Sequence, residues 1–360
     1  MLSKSNKLLL SILLISVTAL AACNPPTQAP LPVLPTAKPA NTPLAKATTP
    51  PMPVPPPPSG AGAYLDDRSN PLALISSYFN AVNRKEYLRA YSYWSDPAAN
   101  LGTLTEYKID YAATASVSLV FGTLTGDAGA GQMYYSVPVR LKSITTSGIP
   151  VDYAACYVVH LSQPGFFGAP PITPMNIERG TAKAVDAGLA DAAVLAEACS
   201  GPDYPISSPV SVEPASLDIS KDNYLDDRSS PVATVSSYLN ALNSKQFVRA
   251  YSYSQNPTSE FGSYSTYEAG YADTDVITAS FGTVISSSAA GNLTYKVPLA
   301  MKVLTTSAAT QTFVGCFSLH LTEPSLQVSY PFQPMGLVSG KFKSVANDAD
   351  TRPLLASACN

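Results

Sequence analysis

Residues 64–93 read YLDDRSNPLALISSYFNAVNRKEYLRAYSY, and residues 224–253 read YLDDRSSPVATVSSYLNALNSKQFVRAYSY. The offset between the two stretches is 160, and their opening YLDDRS is unaltered. The same offset relates Val137-Pro138 to Val297-Pro298, Cys156 to Cys316, His160 to His320, Pro174-Met175 to Pro334-Met335, and Cys199 to Cys359. A register held over that distance predicts two domains of one fold, each long enough to bury its own core. Residues 61–200 form the first and 224–360 the second. The four prolines of 200–223 mark residues 201–223 as a linker.

Within each copy the apolar period changes. Ile75, Tyr78, Phe79 and Val82 follow helical spacing, as do Val235, Tyr238, Leu239 and Leu242. Pro71 and Pro231 occupy first helical positions behind Asn70 and Ser230 as N-caps. Asn83-Arg84-Lys85-Glu86 and Asn243-Ser244-Lys245-Gln246 resemble capping boxes and predict a second helix starting at the asparagine. A third short helix carries Tyr107 and Tyr111, matched by Tyr267 and Tyr271. The period then becomes two. Met133, Tyr135, Val137, Val139 and Leu141 alternate with polar positions, and Leu293, Tyr295, Val297, Leu299 and Met301 repeat the pattern. Such strands have one wet face, and the proline within them predicts an edge position or a bulge. Helices followed by amphipathic strands give the class α+β, with N-terminal helices packed on an antiparallel sheet.

The N-terminal residues have the form of an export signal. Lys4 and Lys7 precede an apolar run from Leu8 to Leu20, too short to span a bilayer comfortably. It leads into Leu20-Ala21-Ala22-Cys23, which resembles the lipobox of bacterial lipoproteins. That resemblance implies a signal peptide of residues 1–22, removed before an acylated Cys23, and a protein held on the extracytoplasmic face of a bacterial membrane. Residues 23–60 then form a tether, with fourteen of the chain's 33 prolines, two lysines and no aromatic residue. A segment of that composition cannot bury a core, and it favours extended polyproline II of about 3.1 Å per residue, a reach of roughly 100 Å.

With Cys23 claimed by lipid, four cysteines remain in an exported chain, where disulfides persist. Repetition favours Cys156–Cys199 and Cys316–Cys359, each closing a loop within its own copy. Metal binding is the weaker reading, because there is no Cys-x-x-Cys and only one histidine per copy.

The run YFNAVNRKEYLRAYSYWSDP, then YKIDYAATASVSLVFG, then paired strands and a cysteine-bearing strand, is similar to nuclear transport factor 2-like domains. Closest in form are tandem versions in bacterial lipoproteins. The resemblance covers nearly all of 64–199 and 224–359. It implies a curved sheet wrapped around helices into a cone, often with a pocket inside. Isomerases, hydratases, polyketide cyclases and interaction modules all use that fold, so it does not choose a chemistry.

The residues themselves offer little catalysis. His160 and His320 share a strand face with Cys156 and Cys316, opposite the apolar set of that strand, so each is expected to point away from the cone. Asp110 is matched by Gly270, Asp273 by Ala113 and Glu106 by Thr266. No Gly-x-Ser-x-Gly elbow, phosphate loop or dinucleotide fingerprint occurs. A net charge of −3, with 13% charged residues, gives no basic field for nucleic acid. No cofactor is implied. Tyrosines are the suggestive feature: Tyr78, Tyr91, Tyr107, Tyr111 and Tyr135 recur as Tyr238, Tyr251, Tyr267, Tyr271 and Tyr295. Each supplies an apolar body and a polar tip, able to line a pocket or to fill a core with its hydroxyl at the rim. For YLDDRS the expectation is an ion pair at the base of the first helix. Asp66 or Asp67 would meet Arg89 or neighbouring Arg68, and Asp226 or Asp227 would meet Arg249 or Arg228. The anchor's partner is the membrane, and the cones' partner a small molecule or an envelope protein. The function expected is a non-enzymatic binding module. The alternatives are an isomerase- or cyclase-like enzyme using one cone, and a purely structural envelope scaffold.

Overall fold

In a computed structural model, residues 62–201, 204, 208–212 and 217–360 are described. The signal, Cys23 and the proline-rich tether lie outside these residues. Asn70 caps the first helix, its Oδ1 accepting from Ala73 N at 2.9 Å, with Pro71 in the first turn. Helix α1 spans Pro71–Asn83 and buries Leu74, Ile75, Tyr78, Phe79 and Val82. Three short helices follow: α2 (Tyr87–Tyr91), α3 (Pro97–Leu101) and α4 (Leu104–Asp110). Asn83 does not start α2, contrary to the capping-box expectation. Lys85 adopts φ 60°, a left-handed conformation that breaks the helix two residues later. Asn83 is instead the last residue of α1, and its side chain pins a strand by accepting from Val117 N at 2.7 Å and donating to Val117 O at 2.8 Å. A capping box does form at α4, between Thr103 and Glu106. The short helix α3, capped by Asp96, carries too few residues to show a period in the sequence.

The first sheet contains β1 (Thr114–Phe121), β2 (Thr125–Gly129), β3 (Gln132–Thr145), β4 (Pro150–Ser162) and β5 (Asn176–Val185), followed by α5 (Asp191–Ala198). All pairings are antiparallel. The order is β5-β4-β3, and β1 and β2 share the far side of β3. This explains Pro138 without an edge strand or a bulge in β3. Its carbonyl accepts from Gly122 N at 2.8 Å, and the amide position of a strand residue faces the same side as its carbonyl. The missing N–H therefore faces the gap where β1 has ended at Phe121 and β2 has not begun. A further strand from the segment expected to be linker, β6 (Ser208–Pro209), pairs with β2 at Thr125 and Gly126. Gly126 permits this approach, since a Cβ there would lie 2.8 Å from Val210.

The second half repeats the plan with α6 (Pro231–Asn243), α7 (Phe247–Tyr251), α8 (Pro257–Phe261) and α9 (Tyr264–Gly270). Then come β7 (Thr274–Phe281), β8 (Ile285–Ala289), β9 (Asn292–Thr305), β10 (Thr310–Thr322), β11 (Gly336–Val345) and α10 (Arg352–Leu355). Its sheet has five strands in the corresponding order. The class is α+β, with two antiparallel sheets and helices.

The face of β3 expected to be wet is covered in the first half. Helix α5 lies over it, and Ser136, Pro138 and Arg140 are buried. Arg140 is paired there with Asp152 at 2.6 Å and Asp191 at 2.8 Å. At the matching positions of the second half, Lys296 and Lys302 are exposed and Ala300 replaces the arginine. Disulfides Cys156–Cys199 and Cys316–Cys359, each spanning 43 residues, tie the terminal helical segments to β4 and β10. Among the described residues no helix is long and apolar enough to cross a membrane.

Closing a loop of that length stabilises a chain by about 3–4 kcal/mol in the loop-entropy account. Replacing Cys316 and Cys359 together by alanine is expected to lower the unfolding free energy of the second half by about that amount. Denaturant titration of the non-lipidated protein, with and without reductant, measures it. An unchanged midpoint would refute a stabilising role.

Candidate functional site: the seam between the repeats and the cleft beside it

The tyrosines expected to line a pocket mostly fill the interior. Tyr78 and Tyr111 share a hydroxyl–hydroxyl bond of 3.0 Å, and Tyr107 donates to the Tyr78 hydroxyl at 3.2 Å. In the second half Tyr238 bonds Tyr271 at 2.8 Å and Tyr267 donates to Tyr238 at 3.4 Å. Tyr91 and Tyr251 donate to the carbonyls of Gly102 and Gly262 at 2.6 and 2.7 Å. Burial pushes the Tyr78 and Tyr107 hydroxyls well above the usual range and that of Tyr111 up to about 12, so all three stay neutral donors and acceptors. Each hydroxyl has found a protein partner, and the rings pack edge to face, Tyr107 on Tyr111 at 5.0 Å. Tyr135 differs, because it lines a cleft described below. Its counterpart Tyr295 is partly buried.

Neither carboxylate considered from the repeat comparison is buried in an interior. Asp110 is partly exposed and Asp273 exposed. His160 stacks on Tyr134 at 4.4 Å and bonds Gln132 at 2.6 Å. His320 is held between Asn292 at 2.9 Å and Gln255 at 3.0 Å. Among the described residues no group of three histidine, cysteine, aspartate or glutamate side chains could hold a metal ion.

YLDDRS forms the seam between the two halves. Arg68 N donates to Asp226 O and Arg228 N to Asp66 O, both at 2.7 Å, and Asp67 faces Asp227 in an isolated antiparallel bridge. Asp66 N donates to Ser229 Oγ at 2.8 Å and Asp226 N to Ser69 Oγ at 2.9 Å. Each motif therefore binds the other copy of itself about a local two-fold axis. Apolar contacts follow the same exchange: Tyr224 packs against the first core, and Tyr64 and Leu88 belong with the second.

The expected ion pair of Asp66 or Asp67 with Arg89 does not form. The Asp66 carboxylate is taken by the Tyr93 and Tyr64 hydroxyls at 2.7 and 3.0 Å, and Asp226 by Tyr253 and Tyr224 at 2.7 and 3.3 Å. Asp67 and Asp227 accept from the Ser69 and Ser229 amides at 2.8 and 2.7 Å. Arg89, fully buried, pairs with Glu86 at 2.6 Å, donates to Asn80 Oδ1 at 2.9 Å and to Leu65 O, and lies over the Tyr64 ring at 4.7 Å. Arg249 uses Gln246 at 2.6 Å where Arg89 uses Glu86. Arg68 and Arg228 stack on Tyr93 and Tyr253 at 4.4 and 4.2 Å and donate to the carbonyls of Met175 and Met335. Of the expected pairs with the neighbouring arginine, Asp226 with Arg228 forms, at 3.9 Å. Sequence reasoning missed Tyr93 and Tyr253 as the partners of these carboxylates, although both close the repeated RAYSY.

Beside the seam lies a cleft of about 560 Å³. Its apolar wall is Met133, Tyr135, Leu161 and Met175 from the first half. Its polar rim includes Ser69 and Gln163, with Lys221, Asp222 and Asn223 from the end of the linker and Gln246 from the second half. An apolar wall with amide groups converging from two elements can hold a small amphipathic molecule.

Two outcomes test the seam. Burial, and Asp227 opposite, raise the Asp67 carboxyl to about 6. The unfolded chain ionises this group first, so its contribution to stability is full below pH ~4 and is lost as pH rises through about 6. Asp67→Asn keeps the acceptor for Ser69 N and should flatten that fall, which pH-dependent unfolding would show. A curve identical to the parent would contradict it. Glu86→Gln should cost less than about 1 kcal/mol, because Gln246 already serves Arg249, whereas Arg89→Met leaves Glu86 with Arg84 alone, at 2.7 Å, removes the donor to Leu65 O and Asn80 Oδ1, and should cost about 3–5 kcal/mol. Equal losses would contradict this division of roles. Comparison with family models, with curated proteins and with solved structures returns no match to this chain.

Proposed function

We propose that the protein is an exported, lipid-anchored module that binds a small molecule or an envelope component without chemistry, on the extracytoplasmic face of a bacterial membrane. Each half is read as a nuclear transport factor 2-like cone, a reading supported by α1–α4 and α6–α9 preceding antiparallel sheets of one strand order. Cys23 carries the lipid, residues 23–60 lift the folded part away from the membrane, and the disulfide in each half suits an oxidising compartment.

The observation that carries the binding reading is a contrast. The interiors are occupied by tyrosines whose hydroxyls satisfy one another, while the junction cleft presents Met133, Tyr135, Leu161 and Met175 beneath amide side chains. An isomerase-like reaction needs an acid or base in an apolar pocket, and the Asp110 and Asp273 carboxylates do not occupy one. A ligand in the junction cleft would touch both halves, so the seam that fixes their relation would also fix the cleft's shape.

Native mass spectrometry of residues 24–360, exported and gently purified, is the test. A small molecule should be retained by the parent and lost in Ser211→Trp, which places a large ring on an exposed residue at the cleft's edge. A clean mass after exposure to envelope extract would overturn the small-molecule form, and failure to pull down any envelope protein as well would leave the scaffold alternative. Full-length Cys23→Ser should move from the membrane fraction to the soluble fraction. Unchanged fractionation would refute the anchor.

A further inference from the structure

A second cleft, of about 820 Å³, lies on the outer face of the first sheet, away from the seam and the tyrosine interiors. One wall is α5, through Ala192 and Leu195. The other is the interruption between β1 and β2, where Phe121, Gly122 and Pro138 meet. The close packing there depends on a glycine, since a Cβ on Gly122 would lie 3.1 Å from Pro138 and 3.3 Å from Leu195. Tyr204 closes one side and bonds Thr181.

Two features set its chemistry. Among the described residues no charged side chain lines it, and their polar side-chain groups are all hydroxyls, Tyr204 and Ser136 among them. The Ser136 hydroxyl, in a residue only 1% exposed, has no hydrogen-bond partner among the described residues. A buried hydroxyl without a partner costs free energy that an incoming oxygen could recover. The second half shows the same scaffold in another state. A Cβ on Gly282 would lie 3.1 Å from Pro298 and 3.3 Å from Leu355, but position 136 becomes Lys296. Its ammonium reaches across to donate to Cys359 O at 3.1 Å. A lysine bridges strand and helical segment in the second half, and a short hydroxyl leaves that space open in the first.

We propose that the first-half cleft binds an uncharged amphiphile with a hydrocarbon body and a hydroxyl- or ester-bearing head, the chemistry of a monoacylglycerol. A charged head would lose its hydration with no counter-charge among the described residues to replace it. The hydrocarbon would lie on Leu195, Phe121 and Pro138, gaining about 25 cal/mol per Å² removed from water. The head would meet the Ser136 and Tyr204 hydroxyls. The volume suits one such molecule. This site does not depend on the junction cleft.

The test titrates residues 24–360 with monodecanoin, and with decanoate and decyltrimethylammonium as charged heads on a chain of the same length, by calorimetry below micelle-forming concentrations. One monodecanoin should bind per chain, with the charged probes about tenfold weaker or worse. Ser136→Lys copies the residue that the second half already tolerates, so it should fold as the parent does and lose at least about tenfold in affinity. Lys296→Ser and Ser211→Trp should leave the affinity unchanged. Equal binding of all three probes, undiminished binding by Ser136→Lys, or no binding of monodecanoin would each overturn the proposal.

Discussion

The architecture turns on two backbone hydrogen bonds, Arg68 N to Asp226 O and Arg228 N to Asp66 O, with Asp67 and Asp227 between them. A contact built on a local two-fold axis is self-complementary, so each motif must offer both the donors and the acceptors that the other needs. This gives a physical reason for YLDDRS to stand identically in both copies. Asp66 holds Tyr64 and Tyr93 within its own half through its carboxylate, while its carbonyl and amide serve the other half. Ser69 donates its amide to Asp67 within its own motif while its Oγ accepts Asp226 N across the seam. A change in one copy would break one inward contact and one outward contact together.

Behind the seam, two buried arginines hold the base of the first helices. The desolvation of Arg89 and Arg249 is offset by carbonyls, an asparagine and an aromatic face. Glu86 in the first half and Gln246 in the second each present an oxygen to the Nε of their arginine, so an acceptor in that direction is kept with or without a formal charge. The network joins the helix base to Leu65 and Leu225, the residues leading into the seam, so packing inside each half and docking between halves share side chains.

The halves have diverged mainly on the outer faces of their sheets. In the first, β2 is capped by Ser208–Pro209 over Gly126, and Arg140 is buried with Asp152 and Asp191 under α5. In the second, Ser286 stands at the glycine's position, Ala300 at the arginine's, and α10 is only four residues long. An outer face that differs while the seam and interior are kept is where the two halves can differ in what they bind.

The sequence by itself determined the repeat, the α+β class, the first helix with its asparagine or serine cap, and the pairing of cysteines within each copy. These rest on periodicity and short-range geometry, which a single chain displays directly. It also pointed to the tyrosines, but whether they line a space or fill it depends on which hydroxyls meet, and Tyr78, Tyr107 and Tyr111 come from two helices and the turn after one of them. Tertiary structure alone decided that YLDDRS binds its own copy, because the partner of a backbone amide 160 residues away leaves no trace in local pattern. It likewise decided that Asp66 takes tyrosine hydroxyls and leaves Arg89 to Glu86. Charge in the sequence shows which groups could attract, but burial and the direction of neighbouring hydroxyls select which of them touch.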